Sequence, residues 1–278
     1  MKKLRLAIVG YGFVGKAVDF GFNRNVIKKL IDPKLGTDIS ELVDFDPDVT
    51  FVAVPTPMGA DGSINVSIVE SVIDYLGTKV GGLIVLKSTV TPNNVALYAE
   101  SYHNFVYNPE FLTEKAANED FVNPPMQIYG GGKVKCEMLH SFYKAHSSCK
   151  EAPVHIMSAV EASLVKYGIN SFLASKVLWF NQYYDTISKC NGNYSIILDA
   201  MLTDPRIGKS HTAVPGFDGK RGFGGACFPK DTAALFNFDP SSLTVLGEVI
   251  KANNKYRSGY EKDDREKEQN INYRTTND

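Results

Sequence analysis

The chain has 278 residues, 44% of them hydrophobic and 22% charged, a length and balance that suit two modest soluble domains, each with its own core. Thirty basic residues against 31 acidic ones leave a net charge of -1, so no electrostatic footprint for nucleic acid or an anionic membrane stands out. No apolar run approaches the roughly 18 residues of a membrane span. The apolar residues after Met1-Lys2-Lys3 stop at Gly10, too soon for a secretory signal, so the mature chain is expected to begin near Met1. Cys136, Cys149, Cys190 and Cys227 have neither C-x-x-C spacing nor a histidine at ligand distance, which argues against a metal site and for reduced thiols in a cytoplasmic setting.

In chain order, Leu4 to Val9 reads as a buried strand that runs straight into Gly10-Tyr11-Gly12-Phe13-Val14-Gly15, with a helix-forming stretch from Lys16 to Phe22 behind it. This is G-x-G-x-x-G in the context it needs. The first glycine permits the tight turn, the second lets a pyrophosphate approach the backbone, and the third lets helix and strand pack closely. A helix N-terminus attracts phosphate. Val26 to Ile31 is the next strand, and Asp32 follows it about 20 residues beyond the glycines, placed to accept hydrogen bonds from the adenosine ribose of NAD and to repel a 2′-phosphate. Asp32 equally suits the simple opening of an Asp32-Pro33 turn.

Further strands are predicted at Val49 to Val54, Leu83 to Leu86, Asn104 to Tyr107, Met126 to Tyr129 and Val154 to Met157, alternating with helical patterns. The expected class is α/β: an N-terminal Rossmann-type doubly wound, mostly parallel sheet, followed by an all-α domain with a long connecting helix. Ligands in such sheets sit beyond the carboxyl ends of the strands, which here carry Pro55-Thr56-Pro57, Ser88-Thr89 and Asn108-Pro109-Glu110. Thr56 and Thr89 suit either a cofactor groove or a helix cap. Asn108 as N-cap and Pro109 as first helical residue would place Glu110 and Glu114 one turn apart on a helix face. Carboxylates also belong in a first turn for the macrodipole alone.

After Met157 the strand pattern stops, and apolar residues from Ser158 to about Lys189 recur at helical spacing, interrupted at most near Gly168. A helix that long links two domains or forms a subunit contact. On it Lys166 and Asn170 are spaced i, i+4 and project from one face, as two donors for an oxyanion or as part of a solvated surface. Shorter helices are predicted at Tyr194 to Leu202, Asp231 to Phe238 and Ser241 to Tyr256, before a charged tail that reads as disordered. The predicted domains are 1–157, 158–257 and, for the tail, 258–278.

Gly222-Phe223-Gly224-Gly225-Ala226-Cys227-Phe228-Pro229-Lys230-Asp231 puts a cysteine after small residues and before a helix that Pro229 helps to start. There the helix dipole and the Lys230 ammonium favour thiolate over thiol. Gly224 and Gly225 clear one flank for a ligand or a second piece of backbone. The plainer reading is a structural thiol beside a glycine turn.

Taken together, these motifs resemble the UDP-glucose/GDP-mannose dehydrogenases over nearly the whole chain up to about Tyr256. Gly10 to Gly15, Val54 to Pro57, Lys87 to Thr89, Asn108 to Glu114, Glu161 to Asn170, Asp204 to Gly208 and Gly222 to Asp231 are seven motifs in compatible order. The resemblance implies NAD-dependent oxidation of the C6 hydroxymethyl group of a nucleotide sugar, UDP-glucose to UDP-glucuronate, by two hydride transfers. It implies that Cys227 holds a thiohemiacetal and then a thioester, while Lys166 and Asn170 stabilise the oxyanion. Glu114, Asp231 and Thr89 would position or deprotonate the hydrolytic water. Glu110, Phe111, Leu112 and Gly224 would bind substrate, and Arg206 would reach the substrate of a neighbouring subunit in a homodimer built on the helical domain. Lys230, Pro55 and Thr56 join the glycine motif and Asp32 as cofactor contacts.

Three departures stand out. The family ordinarily carries a further nucleotide-binding domain after the helix at which this chain nears its end. The stretch from Asp32 to Asp48 is short, so one strand-helix unit is expected to be trimmed. Met126 and Thr113 stand where arginines are common. Two other readings remain: a β-hydroxyacid dehydrogenase, which shares the nucleotide fold and the Lys-x-x-x-Asn pair without needing the cysteine, and a non-catalytic NAD-binding partner subunit.

Overall fold

The strand-helix alternation expected of the first half is realised. The structure, a computed structural model, describes residues 3–273. The first half contains β1 (Leu4–Val9), α1 (Phe13–Gly21), β2 (Val26–Ile31), α2 (Glu41–Phe45), β3 (Val49–Val52), α3 (Ser67–Lys79), β4 (Leu83–Leu86), α4 (Pro92–Ser101), β5 (Phe105–Tyr107), α5 (Ala117–Val122), β6 (Gln127–Gly131), α6 (Lys133–His146) and β7 (Val154–Met157). The strands form one sheet in the order β2-β1-β3-β4-β5-β6-β7. Every pairing is parallel except β5 with β6.

Apart from Arg5, β1 is apolar, because both faces of a parallel sheet are covered. Its side chains alternate between two cores. Leu4, Leu6 and Ile8 join Phe51, Val85 and the inner faces of α1, α5 and α6, while Ala7 and Val9 join Val52, Leu86 and the inner faces of α3 and α4. β2 is an edge strand, and its Lys28 and Lys29 pair with Asp19 and Glu41, charges that discourage edge-to-edge pairing. Between β2 and β3 lies only α2 of five residues, after a short turn at Pro33–Leu35, which matches the expected trimming. Strand order reverses between β1 and β3, the crevice in which open α/β sheets take their ligands.

The chain divides into two compact units: Met1–Thr56 with Asn65–Lys166, and Pro57–Ile64 with Tyr167–Asp278. The boundary predicted after residue 157 therefore moves into the long helix α7 (Ala159–Lys189). The shift has a packing cause. Ala159 and Ala162 belong to the sheet's core and the Ser163 hydroxyl donates to Val90 O, whereas Tyr167 packs with Ala234, Leu235 and Leu246. Residues 57–64 join the second unit through Met58 N–H to Gln269 O and Asn237 Nδ2 to Asp61 O.

α7 runs 31 residues without a break at Gly168. α8 (Tyr194–Met201), α9 (Phe228–Phe238), α10 (Thr244–Arg257) and α11 (Asp264–Glu268) complete the second unit. α8 starts where the Asn193 side chain accepts from the amides of Ser195 and Ile196. The tail departs from expectation. Residues 258–273 are ordered, with a reciprocal Asp263–Glu266 capping box and with Ile271 and Tyr273 buried against Met58. Composition hid this because Ile271 and Tyr273 anchor a segment otherwise dominated by charged and polar residues. Residues 274–278 of the expected tail, and the expected start at Met1 and Lys2, lie outside the described residues.

Candidate active site

The first unit gathers its candidate residues at the carboxyl ends of the strands. Gly10 sits at φ +91°, and a Cβ there would lie 2.5 Å from Ala53 O; one on Gly15 would lie 2.0 Å from Gly10 O. Both positions therefore exclude a side chain. Gly12 differs: it caps α1 with no side-chain hydrogen bond, and a Cβ on it would meet nothing within 4 Å. The helix begins at Phe13 rather than Lys16, so the motif's last three residues are its first turn. Open space before an uncapped helix N-terminus is what a pyrophosphate requires. Asp32 follows β2, and its Oδ2 accepts the Tyr11 N–H at 2.7 Å, tying the acid to the glycine turn, while its Oδ1 accepts the Lys34 N–H at 2.8 Å. The bond to the Lys34 N–H is the turn-opening geometry expected of Asp32 before Pro33. These residues fit NAD.

Thr56 and Thr89 are buried beyond β3 and β4, and neither Thr56 nor Thr89 caps a helix; between them the Ser88 hydroxyl donates to Val54 O. Asn108 corrects an expectation. It caps nothing: its Oδ1 accepts from Lys87 Nζ at 3.0 Å and from the Tyr143 hydroxyl at 2.7 Å, and its Nδ2 donates to Ile128 O at 2.8 Å. No helix starts at Pro109, so Glu110 and Glu114 do not share a helix face; Glu114 opens a short 3-10 turn and is exposed. Glu110 is buried. Its Oε1 lies 3.2 Å from Lys166 Nζ, its main-chain carbonyl accepts from the same ammonium at 2.6 Å, and its Oε2 accepts the Leu112 N–H at 2.7 Å. One carboxylate thereby folds the Glu110-Phe111-Leu112 loop over Lys166, whose ammonium also lies 5.3 Å from the Phe111 ring centroid.

Sequence reasoning quoted Lys87 only as part of a motif and assigned it nothing. Burial pulls its ammonium down to about 8 from an ordinary 10.5, against the attraction of Glu110. Below about pH 8 both folded and unfolded states hold the proton and the burial cost is fully present; above it the folded state releases the proton first, so stability rises with pH. From pH 8 to 9.5 the wild type is expected to gain about 2 kcal/mol relative to Lys87→Met in urea unfolding. Parallel pH profiles would contradict this.

In the second unit, Cys227 is the half-buried N-cap of α9, with Pro229 in the first turn, as predicted. The buried Lys230 ammonium pairs with Asp231 Oδ1 at 2.5 Å. Asp231 Oδ2 accepts from Asn170 Nδ2 at 2.6 Å, so the carboxylate is held by two buried donors. Gly224 does not leave an open flank: a Cβ there would lie 1.9 Å from Arg257 Nη2 and 2.6 Å from Glu266 Oε1. Gly225 is open on that side. The Arg206 side chain is 87% exposed and pairs with Asp204 at 2.6 Å. Arg257 and Glu266, both wholly buried around the glycine turn, carried no sequence signal because their partners are brought in by folding.

Two models of one family match. The UDP-glucose/GDP-mannose dehydrogenase family's NAD binding domain matches residues 24–147 and its central domain matches residues 160–255. The chain belongs to this family. It is 34% identical over 224 residues to the UDP-glucose 6-dehydrogenase of Rickettsia typhi, covering 76% of this chain and 50% of that one. It is 31% identical over 228 residues to the UDP-glucose 6-dehydrogenase TuaD of Bacillus subtilis, covering 76% and 47%. The chain thus spans about half the length of these curated relatives. A solved UDP-glucose dehydrogenase from Pyrobaculum islandicum superposes with a TM-score of 0.77 at 28% identity, over 91% of this chain and 68% of that one. The fold alone is also shared with 3-hydroxyisobutyrate dehydrogenase of Mycobacterium tuberculosis, with a TM-score of 0.69 at 15% identity over 92% and 94% of the two chains.

Proposed function

We infer that this member of the UDP-glucose/GDP-mannose dehydrogenase family oxidises the C6 hydroxymethyl of a nucleotide sugar to a carboxylate, with UDP-glucose to UDP-glucuronate as the specific reaction. The observation that carries the reading is the trio in the second unit: Cys227 capping α9, Asp231 one turn further on, and Asn170 bonded to that carboxylate. NAD, held at Gly10 to Gly15, Asp32, Pro55 and Thr56, supplies hydride acceptance at each of two oxidations. The Cys227 sulfur adds to the carbonyl carbon of the aldehyde, giving a thiohemiacetal and, after the second oxidation, a thioester. Lys166 and Asn170, one turn apart on α7, are fixed by Glu110 and Asp231 and donate to the oxygen on which charge develops. Water then attacks the thioester carbon; Asp231 takes its proton, Glu114 and Thr89 help to place it, and the carbon–sulfur bond breaks to restore the thiol.

Lys230 holds Asp231 through their ion pair and is also read as a cofactor contact. Phe111 and Leu112 shape the sugar side of the loop that Glu110 holds. A homodimer through the helical unit is supported by exposed Phe172 and Trp179 on α7 and Ile196 on α8, apolar surface of the kind that marks interfaces. Arg206, projecting into solvent, suits a contact with a second copy's substrate. The cytoplasmic setting rests on four cysteines that form no disulfide, and no described helix is long and apolar enough to cross a membrane.

The fold shared with 3-hydroxyisobutyrate dehydrogenase keeps the β-hydroxyacid reading in play, and a non-catalytic NAD-binding subunit is the third. A panel of UDP- and GDP-sugars set against β-hydroxyacids decides between them. NADH formation with a nucleotide sugar is the expected result; turnover only with a hydroxyacid, or with nothing, overturns the reading.

A further inference from the structure

The glycine turn before Cys227 is closed from behind by residues that lie beyond both family matches. Arg257, the last residue of α10, donates from Nη1 to Asp218 Oδ2 at 2.7 Å and from Nη2 to Glu266 Oε1 at 2.7 Å. The same Glu266 oxygen accepts the Gly225 N–H at 3.0 Å and the Tyr273 hydroxyl at 2.6 Å. Glu266 Oε2 accepts the Asp263 N–H at 3.0 Å, so the carboxylate is also fixed to its own helix. Burial works to raise the Glu266 carboxyl, and the bonds from Tyr273, Gly225, Asp263 and Arg257 overcome it and hold it below the usual glutamate range. Ile271 and Tyr273 pack with Met58 and with Ala233 of α9, the helix that Cys227 caps. Segment 261–273 therefore grips both the turn before the cysteine and the helix after it.

A turn of this kind needs such a grip. Gly222 and Gly225 sit at φ +73° and +80°, and glycine loses more conformational freedom on ordering than any other residue. A nucleophile displaced by about 1 Å costs on the order of 10²-fold in rate. We propose that Glu266 is a positioning residue for Cys227, acting through the Gly225 amide and the Arg257 guanidinium to hold the Gly222-to-Cys227 turn in its reactive shape. The proposal rests on the reading of Cys227 as the nucleophile.

Three variants of the full chain test it: Glu266→Gln, which removes the charge; Tyr273→Phe, which removes one donor and keeps the packing; and Lys267→Ala on the exposed side of the same segment. Amide hydrogen exchange is read at 222–227 and in β1 to β4, alongside kcat and the KM for NAD with UDP-glucose. For Glu266→Gln, exchange at 222–227 is expected to quicken at least tenfold with the sheet unchanged, and kcat to fall about tenfold with the KM for NAD within twofold. Tyr273→Phe is expected to show both effects at two- to threefold, and Lys267→Ala neither; should Glu266→Gln fail to fold, Tyr273→Phe decides alone. Unchanged exchange at 222–227, or faster exchange there with kcat intact, overturns the proposal. If the wild type turns over no nucleotide sugar, the proposed function fails, and the exchange data still show whether Glu266 holds the turn.

Discussion

Replacement of Cys227 by serine is expected to lower complete oxidation of the sugar by at least about 10³-fold, because an alkoxide is far less accessible at neutral pH than a thiolate. The fold should tolerate the change. Cys227 occupies the N-cap of α9, a position where serine is among the favoured residues, so unfolding midpoints should stay within about 2 °C. That combination separates chemistry from structure. It also separates the proposed reaction from that of a β-hydroxyacid dehydrogenase, which has no covalent step to lose.

Asp231→Ala is expected to harm both stability and catalysis. Its carboxylate is 1% exposed and neutralises Lys230, which is 6% exposed. Removing it leaves a buried ammonium and the Asn170 amide without their acceptor, a loss of about 3–5 kcal/mol in urea unfolding. Asp231→Asn keeps the volume and is the better kinetic probe. With the proton acceptor gone, thioester hydrolysis should slow most, and intact-mass measurement should find Cys227 carrying the uronyl group during turnover. A variant that hydrolyses the thioester at the wild-type rate would remove Asp231 from the water-activating role.

Much of this architecture was legible in the residues themselves. β4 falls where its apolar run ends because a strand covered on both faces shows no polar interruption until the turn, while β1, β2 and β7 keep their expected bounds although they carry Arg5, Lys28 and Lys29, and His155. The glycine motif was legible because its spacing is local: Gly15 is forced by Gly10 O inside one strand-turn-helix unit, although the contact that forces Gly10 comes from Ala53 O beyond β3. Asn108 misled because Asn-Pro is a good local helix start, while the energy lies in long-range bonds to Lys87, Tyr143 and Ile128. The pairing of Lys230 with its neighbour Asp231 carried no signal of its own in the sequence. The ordered segment 258–273 was invisible because its stability comes from one buried carboxylate and two apolar side chains, not from composition.

The count of NADH produced per molecule of nucleotide sugar consumed, in the wild type and in Cys227→Ser, reaches the centre of this account. Two per sugar in the wild type, with that stoichiometry lost in the variant, is the predicted result. One per sugar in both proteins would contradict it, leaving the thiol at α9 without a covalent role.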